Sequence, residues 1–414
     1  MGVARFLRGA PQPAFVAYAI AASFAAYFCM YAFRKPFAAA SFEGSVLGLE
    51  LKTVLVISQV LGYTLSKYIG IKVVSELRRP ALGLLLSIGG ALAALALFGV
   101  LPGGAKAIAI FANGLCLGMV WGMVVRYLEG RQTSELLLAG LSCSFIVASG
   151  VVKDLGRWLL AEGVSEGWMP FWTGLLFVLP FAAAVWLLER LPPPTEEDRQ
   201  LRSERRPMSR AERIAFLRRF GPGLASLLLV YFFLTAYRDF RDNYGVEIFT
   251  ELGYGETPAV FSATELPVAL GVLLALGLLY RIRDNRRALL ATFAIMIVGA
   301  FLLVGSTMLR QAGYIDGVTW MVATGLGSYL VYVPYGSILF DRLVATTGAA
   351  GTAVFAIYVA DALGYTGSVG VQLYKDLAQS EVTRLGFFEA FTYAQGAGGV
   401  LLLVLSATYF LRRS

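Results

Sequence analysis

Apolar runs of about twenty residues, each enough to cross ~30 Å of hydrocarbon, recur from one end of this chain to the other. They fall at 14–40, 51–71, 80–101, 105–128, 135–159, 168–188, 221–249, 258–280, 288–309, 318–340, 349–374 and 386–411 of 414 residues. In lipid every backbone N–H and C=O must find its partner within the protein, which leaves helices or a closed barrel. The short alternating segments of a barrel are missing, so the runs predict twelve membrane-spanning helices. Composition agrees: 57% of residues are hydrophobic and 15% charged, against ~25% charged in a soluble domain.

Lysine and arginine set the orientation. Arg5 and Arg8, Arg78 and Arg79, the four arginines between 281 and 287, and Arg412 and Arg413 all fall on one side of the twelve-run ladder. The alternate loops 41–50, 161–167 and 250–257 carry neither lysine nor arginine. Both termini are therefore expected in the cytoplasm, in a membrane of the bacterial inner (plasma) type. The net charge of +8 is mostly a topology signal. Spread over short loops rather than one face, it argues against a nucleic-acid partner. The first run is too long for a signal-peptide core and is expected to stay.

The chain divides once. The stretch 191–220 is the longest polar one and separates an N-terminal half, 1–190, from a C-terminal half, 221–414. Ser209-Arg-Ala-Glu212 reads as a capping box opening a short basic helix on the cytoplasmic surface. Gly150-Val-Val-Lys-Asp-Leu155 in run five echoes Tyr374-Lys-Asp-Leu377 after Gly370 in run eleven, the spacing of a duplicated six-helix half. Cys29, Cys116 and Cys143 lie inside runs, with neither metal nor disulfide spacing. No nucleophile–base pair is apparent. No cofactor or metal and no enzymatic activity are expected.

The chemistry lies in the charges inside the runs. A charge at the bilayer centre costs about 2.5–3.5 kcal/mol on insertion scales and is usually paired, interfacial or functional. Arg34 sits in run one, sharing a helix face with Tyr27 and Tyr31; Lys67 shares one with Gln59 and Tyr63 in run two. Arg238 in run seven shares a face with Thr235 and Asp242, and Tyr358, Asp361 and Tyr365 line up in run eleven. Lys35 is expected to point away from this set. A phosphate monoester carries roughly −1.5 to −2 charge at neutral pH, and burying it demands fixed cations. Arginine suits this, being always protonated and able to donate two parallel hydrogen bonds. Arg34 and Arg238 are the expected anion ligands, Lys67 an accessory one, and Tyr31, Tyr63 and Tyr358 the cavity wall. Asp361, Glu265, Arg241, Asp242, Lys153 and Asp154 are coupling or gating candidates. Glu265 and Asp361 serve equally as proton sites or as salt-bridge partners.

Several strings resemble the organophosphate:phosphate antiporters of the major facilitator superfamily. Tyr31-Ala-Phe-Arg34-Lys35-Pro-Phe37 is similar to their first-span Arg-Lys signature. Gly62-Tyr-Thr-Leu-Ser-Lys67-Tyr68 is similar to their second-span Ser-Lys motif, and Trp121 with Arg126 to a Trp–Arg pair in span four. Arg238 before Asp242-Asn-Tyr244, and Ala349-Ala-Gly-Thr-Ala353 with Gly364-Tyr365, continue the likeness into the second half. The resemblance implies the major facilitator fold, alternating access, and a phosphorylated substrate held between the halves by Arg34 and Arg238. The chain departs from the family in having no histidine, in Pro36 where the family has Asn, and in the extra charges Asp239 and Arg241. The expected function is a monomeric secondary transporter of a small anionic, phosphorylated metabolite, with inorganic phosphate as an exchange partner. The alternatives are a membrane sensor for such an anion and a proton-coupled symporter of another solute using Glu265 or Asp361.

Overall fold

A computed structural model describes residues 3–46, 48–195, 198, 210–347 and 353–412. After a short helix α1 (Val3–Gly9), Pro11 and Pro13 open α2 (Gln12–Arg34). Proline suits a first turn, where its missing N–H has no partner to lose. Pro36 ends the same helix. Its ring collides with the carbonyl four residues back, so the chain leaves the α-helix at Arg34 and turns through a 3-10 segment, Pro36–Ala39. The run expected to continue to residue 40 is therefore shorter, and Arg34 is its last helical residue. A two-residue hairpin, β1 (Ser45–Val46) with β2 (Leu49–Glu50), leads into α3 (Leu51–Glu76).

The other helices follow the expected runs. They are α4 (Pro80–Val100), α5 (Lys106–Leu117), α6 (Val120–Leu128), α7 (Ser134–Ala161), α8 (Met169–Leu176) and α9 (Val178–Leu188). Beyond the linker come α10 (Arg210–Asn243), α11 (Gly245–Glu251), α12 (Val260–Tyr280), α13 (Asn285–Gln311), α14 (Gly317–Ser337), α15 (Leu339–Thr347), α16 (Ala353–Ala378) and α17 (Arg384–Leu411). Asp284, Asp316 and Thr383 cap α13, α14 and α17 by accepting from Arg287, Thr319 and Gly386 backbone N–H groups at 2.8, 2.8 and 3.1 Å. The short basic helix expected after Ser209 is not separate: α10 runs unbroken from Arg210 through Pro222 into the seventh run. Ser209 itself and residues 348–352 lie outside the described residues.

Among the described residues, eight helices are long and apolar enough to cross a membrane, or nine if α8 and α9, bent by 40° at their junction, count as one span. The expected spans outside this set are α3, α14 and α16. Two of them hold expected site residues: Lys67 on α3 and Asp361 on α16. Leu82, Leu86, Leu179, Leu270 and Leu274 are between 49% and 79% exposed on helix faces. A soluble monomer rarely displays so much apolar surface; this is an integral membrane protein. Trp158, Trp168, Trp172 and Trp186 are also exposed, near helix ends, where amphipathic rings settle at a membrane interface.

The chain forms two compact units. The first comprises Met1–Arg202 with Asn243–Ala263 and Asp376–Ala378; the second comprises Ser203–Asp242, Thr264–Lys375 and Gln379–Ser414. In the first, α3 and α5 touch backbone to backbone. A Cβ on Gly114 would stand 2.3 Å from the Gln59 carbonyl oxygen, and one on Gly118 would stand 2.4 Å from that of Tyr63. Small residues allow such an approach where lipid offers no hydrophobic drive to pack helices. In the second, Leu227, Phe293, Met296, Tyr335, Phe340, Leu403 and Phe410 form a core joining α10, α13, α14, α15 and α17.

Candidate functional site

Ending α2 at Arg34 leaves its last carbonyls without helical partners. Asn113 on α5, fully buried, donates to the Phe33 oxygen at 2.9 Å and to the Ala91 oxygen at 3.3 Å. Gln59 on α3 donates to the Arg34 oxygen at 2.8 Å and to the Asn113 side-chain oxygen at 2.9 Å. These amides fix the position of Arg34. Helical side chains lean toward the N-terminus of their helix, so the arginine stem reaches back from the helix end. Its guanidinium lies 5.7 Å from the Tyr31 ring centroid and 3.9 Å from that of Tyr63. Tyr63 is the thirteenth of the 26 residues of α3, so the guanidinium rests beside the middle of that helix.

Lys67 Nζ stands 5.5 Å from the same Tyr63 ring. Tyr27 places its hydroxyl 3.4 Å from that of Tyr63 and its ring edge-on to Trp121, with centroids 4.8 Å apart. The first unit thus brings Arg34, Lys67, Tyr31 and Tyr63 together with Tyr27 and Trp121.

In the second unit Arg238 lies 4.2 Å from the Tyr332 ring centroid. It pairs with its neighbour Asp239 at 3.0 Å, and Asp239 accepts from Ser368 on α16 at 2.9 Å. Tyr231 stacks on Tyr332, with centroids 5.2 Å apart, and donates to Asp361 at 2.7 Å. Each unit therefore holds an arginine, from its first expected span, laid on a tyrosine ring. Tyr358 is on α16, but its side chain lies outside the described residues. Asp242 is half-buried at the end of α10.

The remaining candidates fall into two groups. Arg241 and Glu265 form a buried ion pair at 2.5 Å, and Arg241 also donates to the Met321 oxygen at 2.8 Å. Lys153 and Asp154 belong to a clasp within the first unit. Asp154 caps α12, accepting from Phe261 N at 3.3 Å, Ser262 N at 2.7 Å and Ser262 Oγ at 2.5 Å. Lys153 Nζ lies 4.8 Å from the Phe261 ring, and Arg157 donates to the Gly255 oxygen. Lys35, expected to point away, is buried and donates to Asn243 at 2.8 Å. Lys52, which sequence reasoning missed, pairs with Glu247 at 2.5 Å, and Thr53 bonds the Tyr244 hydroxyl at 2.7 Å. A lysine beside the first apolar residue of a run carries no signal that distinguishes it from a flank.

The fully buried charges are mostly cationic. Among the described residues the buried cationic side chains are Arg34, Lys35, Lys52, Lys153, Arg238, Arg241, Lys375 and Arg384; the buried anionic ones are Asp239 and Glu265. Neither side-chain pattern nor spacing provides a metal site among the described residues.

A family of unknown function (DUF5690) matches residues 36–413 by its sequence model. Among solved structures, a D-xylose-proton symporter superposes with a TM-score of 0.63 at 14% identity, covering 95% of this chain and 96% of its own. The human organic anion transporter MFSD10 (TETRAN) superposes with a TM-score of 0.57 at 16% identity, covering 96% of this chain and 100% of its own. No curated protein sequence matches. At such identities the likeness establishes the fold, which is the major facilitator fold.

Proposed function

Because this chain belongs to the family of unknown function DUF5690 and has the major facilitator fold, we propose that it is a secondary transporter of a small anionic metabolite, phosphorylated by preference. The observation that carries this reading is the pair of buried arginines, one in each unit, each laid on a tyrosine ring: Arg34 on Tyr63 and Arg238 on Tyr332. Intramembrane charge is retained where it serves a pathway or a partner, and an anion is the ligand that two such guanidinium groups suit. Arg34 and Arg238 are the anion ligands, each oriented by a tyrosine face. Lys67 adds a point charge beside Tyr63, and the Tyr27 and Tyr31 hydroxyls supply further donors. The twelve runs span a plasma membrane with both ends in the cytoplasm, and phosphate is the exchange partner. The organophosphate antiporter-like strings support the phosphorylated substrate.

Liposomes loaded with inorganic phosphate test this. The parent is expected to take up external radiolabelled phosphate, and Arg34→Ala and Arg238→Ala are expected to abolish uptake while inserting and folding normally. Full exchange in both variants overturns the proposal. Phosphate binding without flux in the parent turns it into the sensor reading.

A further inference from the structure

We propose that a groove in the second unit, between α10, α16 and α17, binds an uncharged, mostly apolar small molecule that carries one hydrogen-bonding oxygen and enters from the bilayer.

The sequence of α17 makes the groove. Ala390, Ala394 and Gly398 recur every fourth residue and so share one helix face. In a membrane such small residues let a second helix approach closely, and the glycines beside this stripe do that. A Cβ on Gly396 would stand 3.0 Å from the Ala300 oxygen of α13, and one on Gly399 would stand 3.5 Å from the Ala300 side chain. Gly398 is different: a Cβ there would meet nothing within 4 Å. The stripe instead lines a cavity of about 530 Å³, together with Leu229 and Phe233 from α10, Val371 and Tyr374 from α16, and Phe391 from α17. Small-molecule sites commonly fall in the range ~300–1,000 Å³. Leu229, Phe233 and Tyr374 are between 40% and 53% exposed. Since α10 and α17 are both long and apolar enough to cross a membrane, this face meets the bilayer.

One polar group inside the groove lacks a partner. No lining residue is charged. Of the polar ones, Gln379 donates to the Tyr374 hydroxyl at 3.1 Å. Gln395 is 5% exposed and, among the described residues, makes no hydrogen bond. An amide in an apolar setting is costly without a partner, the more so where no water is at hand.

The position of that amide selects the occupant. Gln395 is the twelfth of the 28 residues of α17, about 17 Å from the helix start and well inside a ~30 Å hydrocarbon layer. The ester and phosphate groups of a phospholipid stay at the interface, and the acyl chain that reaches this depth offers no hydrogen-bonding atom. A second helix, ~10–12 Å across, would rest on the exposed rim above the recessed amide. A slender apolar molecule reaches it, and one carbonyl or hydroxyl oxygen satisfies it. With no charge along the groove, its ligand differs in chemistry from an anion held by the arginine–tyrosine pairs.

The test uses the full protein in phosphatidylcholine liposomes with benzophenone as the probe. Benzophenone is uncharged, carries one carbonyl oxygen and, when illuminated, bonds to nearby C–H groups; peptide mass spectrometry then locates the label. Phe387 and Phe391 are left unchanged, because they also pack on Phe240 and Tyr237, either side of Arg238. In the parent, saturable labelling is expected on the lining residues of α16 and α17. Gly398→Leu puts a side chain into the open space and is expected to abolish it. Gln395→Leu removes the hydrogen bond at similar size and is expected to raise the half-saturating concentration about tenfold. At equal membrane concentration, diphenylmethane is expected to compete about tenfold less well than diphenylmethanol in the parent, and equally well in Gln395→Leu. Unsaturable labelling spread over the lipid-facing helices overturns the proposal. So does equal competition by the two compounds in the parent, a comparison that needs no variant to fold. A co-purifying phospholipid that excludes the probe from the parent and is absent from Gly398→Leu assigns the groove to an acyl chain and overturns the proposal as well.

Discussion

Replacing Asn113 with leucine is expected to weaken both the first unit and its arginine half-site. Asn113 is fully buried and makes three hydrogen bonds, one to the Phe33 carbonyl that the end of α2 leaves open, a second to the Ala91 carbonyl in the middle of α4, and one from Gln59. Leucine is close in volume but offers no polar atom. Each buried group left without a partner costs about 1–3 kcal/mol. The Phe33 oxygen and one Gln59 donor direction are stranded outright, for a loss of roughly 3–5 kcal/mol. The extra apolar burial offsets about 1–2 kcal/mol of this. A net loss of roughly 1–4 kcal/mol lowers the Tm of a unit this size by about 2–15 °C. Thermal unfolding in detergent, followed by tryptophan fluorescence, measures it. Because Gln59 also holds the Arg34 carbonyl, phosphate affinity is expected to fall in the same variant. A Tm within 2 °C of the parent, on the scale that about 1 kcal/mol would produce, would refute the role given to Asn113; an unchanged affinity in a destabilised protein would refute its link to Arg34.

Two further outcomes follow from packing and charge. Gly118→Ala places a methyl 2.4 Å from the Tyr63 carbonyl oxygen and is expected to cost about 1–3 kcal/mol in forced helix movement, with weaker phosphate binding through Tyr63. Gly122→Ala, whose new methyl meets Val74 at 3.4 Å, is the tolerated control in the same unfolding assay. Arg241→Gln strands the buried Glu265 carboxylate and is expected to lose about 3–5 kcal/mol, most of it recovered when Glu265→Leu is added to Arg241→Met.

Hydropathy located the helices in sequence, although α3, α14 and α16 fall outside the set long and apolar enough to cross a membrane. The end of the first one was misplaced because Pro36 stops a helix without interrupting its apolar composition. Helical spacing put Arg34 near Tyr31, and Lys67 near Tyr63, since those pairs lie on one helix. It had no means of joining the two sets: the stacking of Arg34 on Tyr63 depends on the glycine contacts between α3 and α5 and on the amides that hold the end of α2. The pairing of Asp239 with Ser368 was hidden for the same reason, being a contact between helices 129 residues apart in sequence. Lys35 was expected only to point away from the arginine–tyrosine set; that its partner is Asn243, from a distant segment, is a property of the fold. Arg241 and Glu265 were recognised singly; that they neutralise each other is a property of the fold.

Equilibrium binding of inorganic phosphate to the purified parent, Arg34→Ala, Arg238→Ala and the double variant tests the central claim most directly. Each arginine that donates charge-assisted hydrogen bonds contributes about 1.5–3 kcal/mol per bond, so each single variant is expected to bind at least tenfold more weakly and the double variant not at all. Parent-like affinity in the folded double variant would contradict the account.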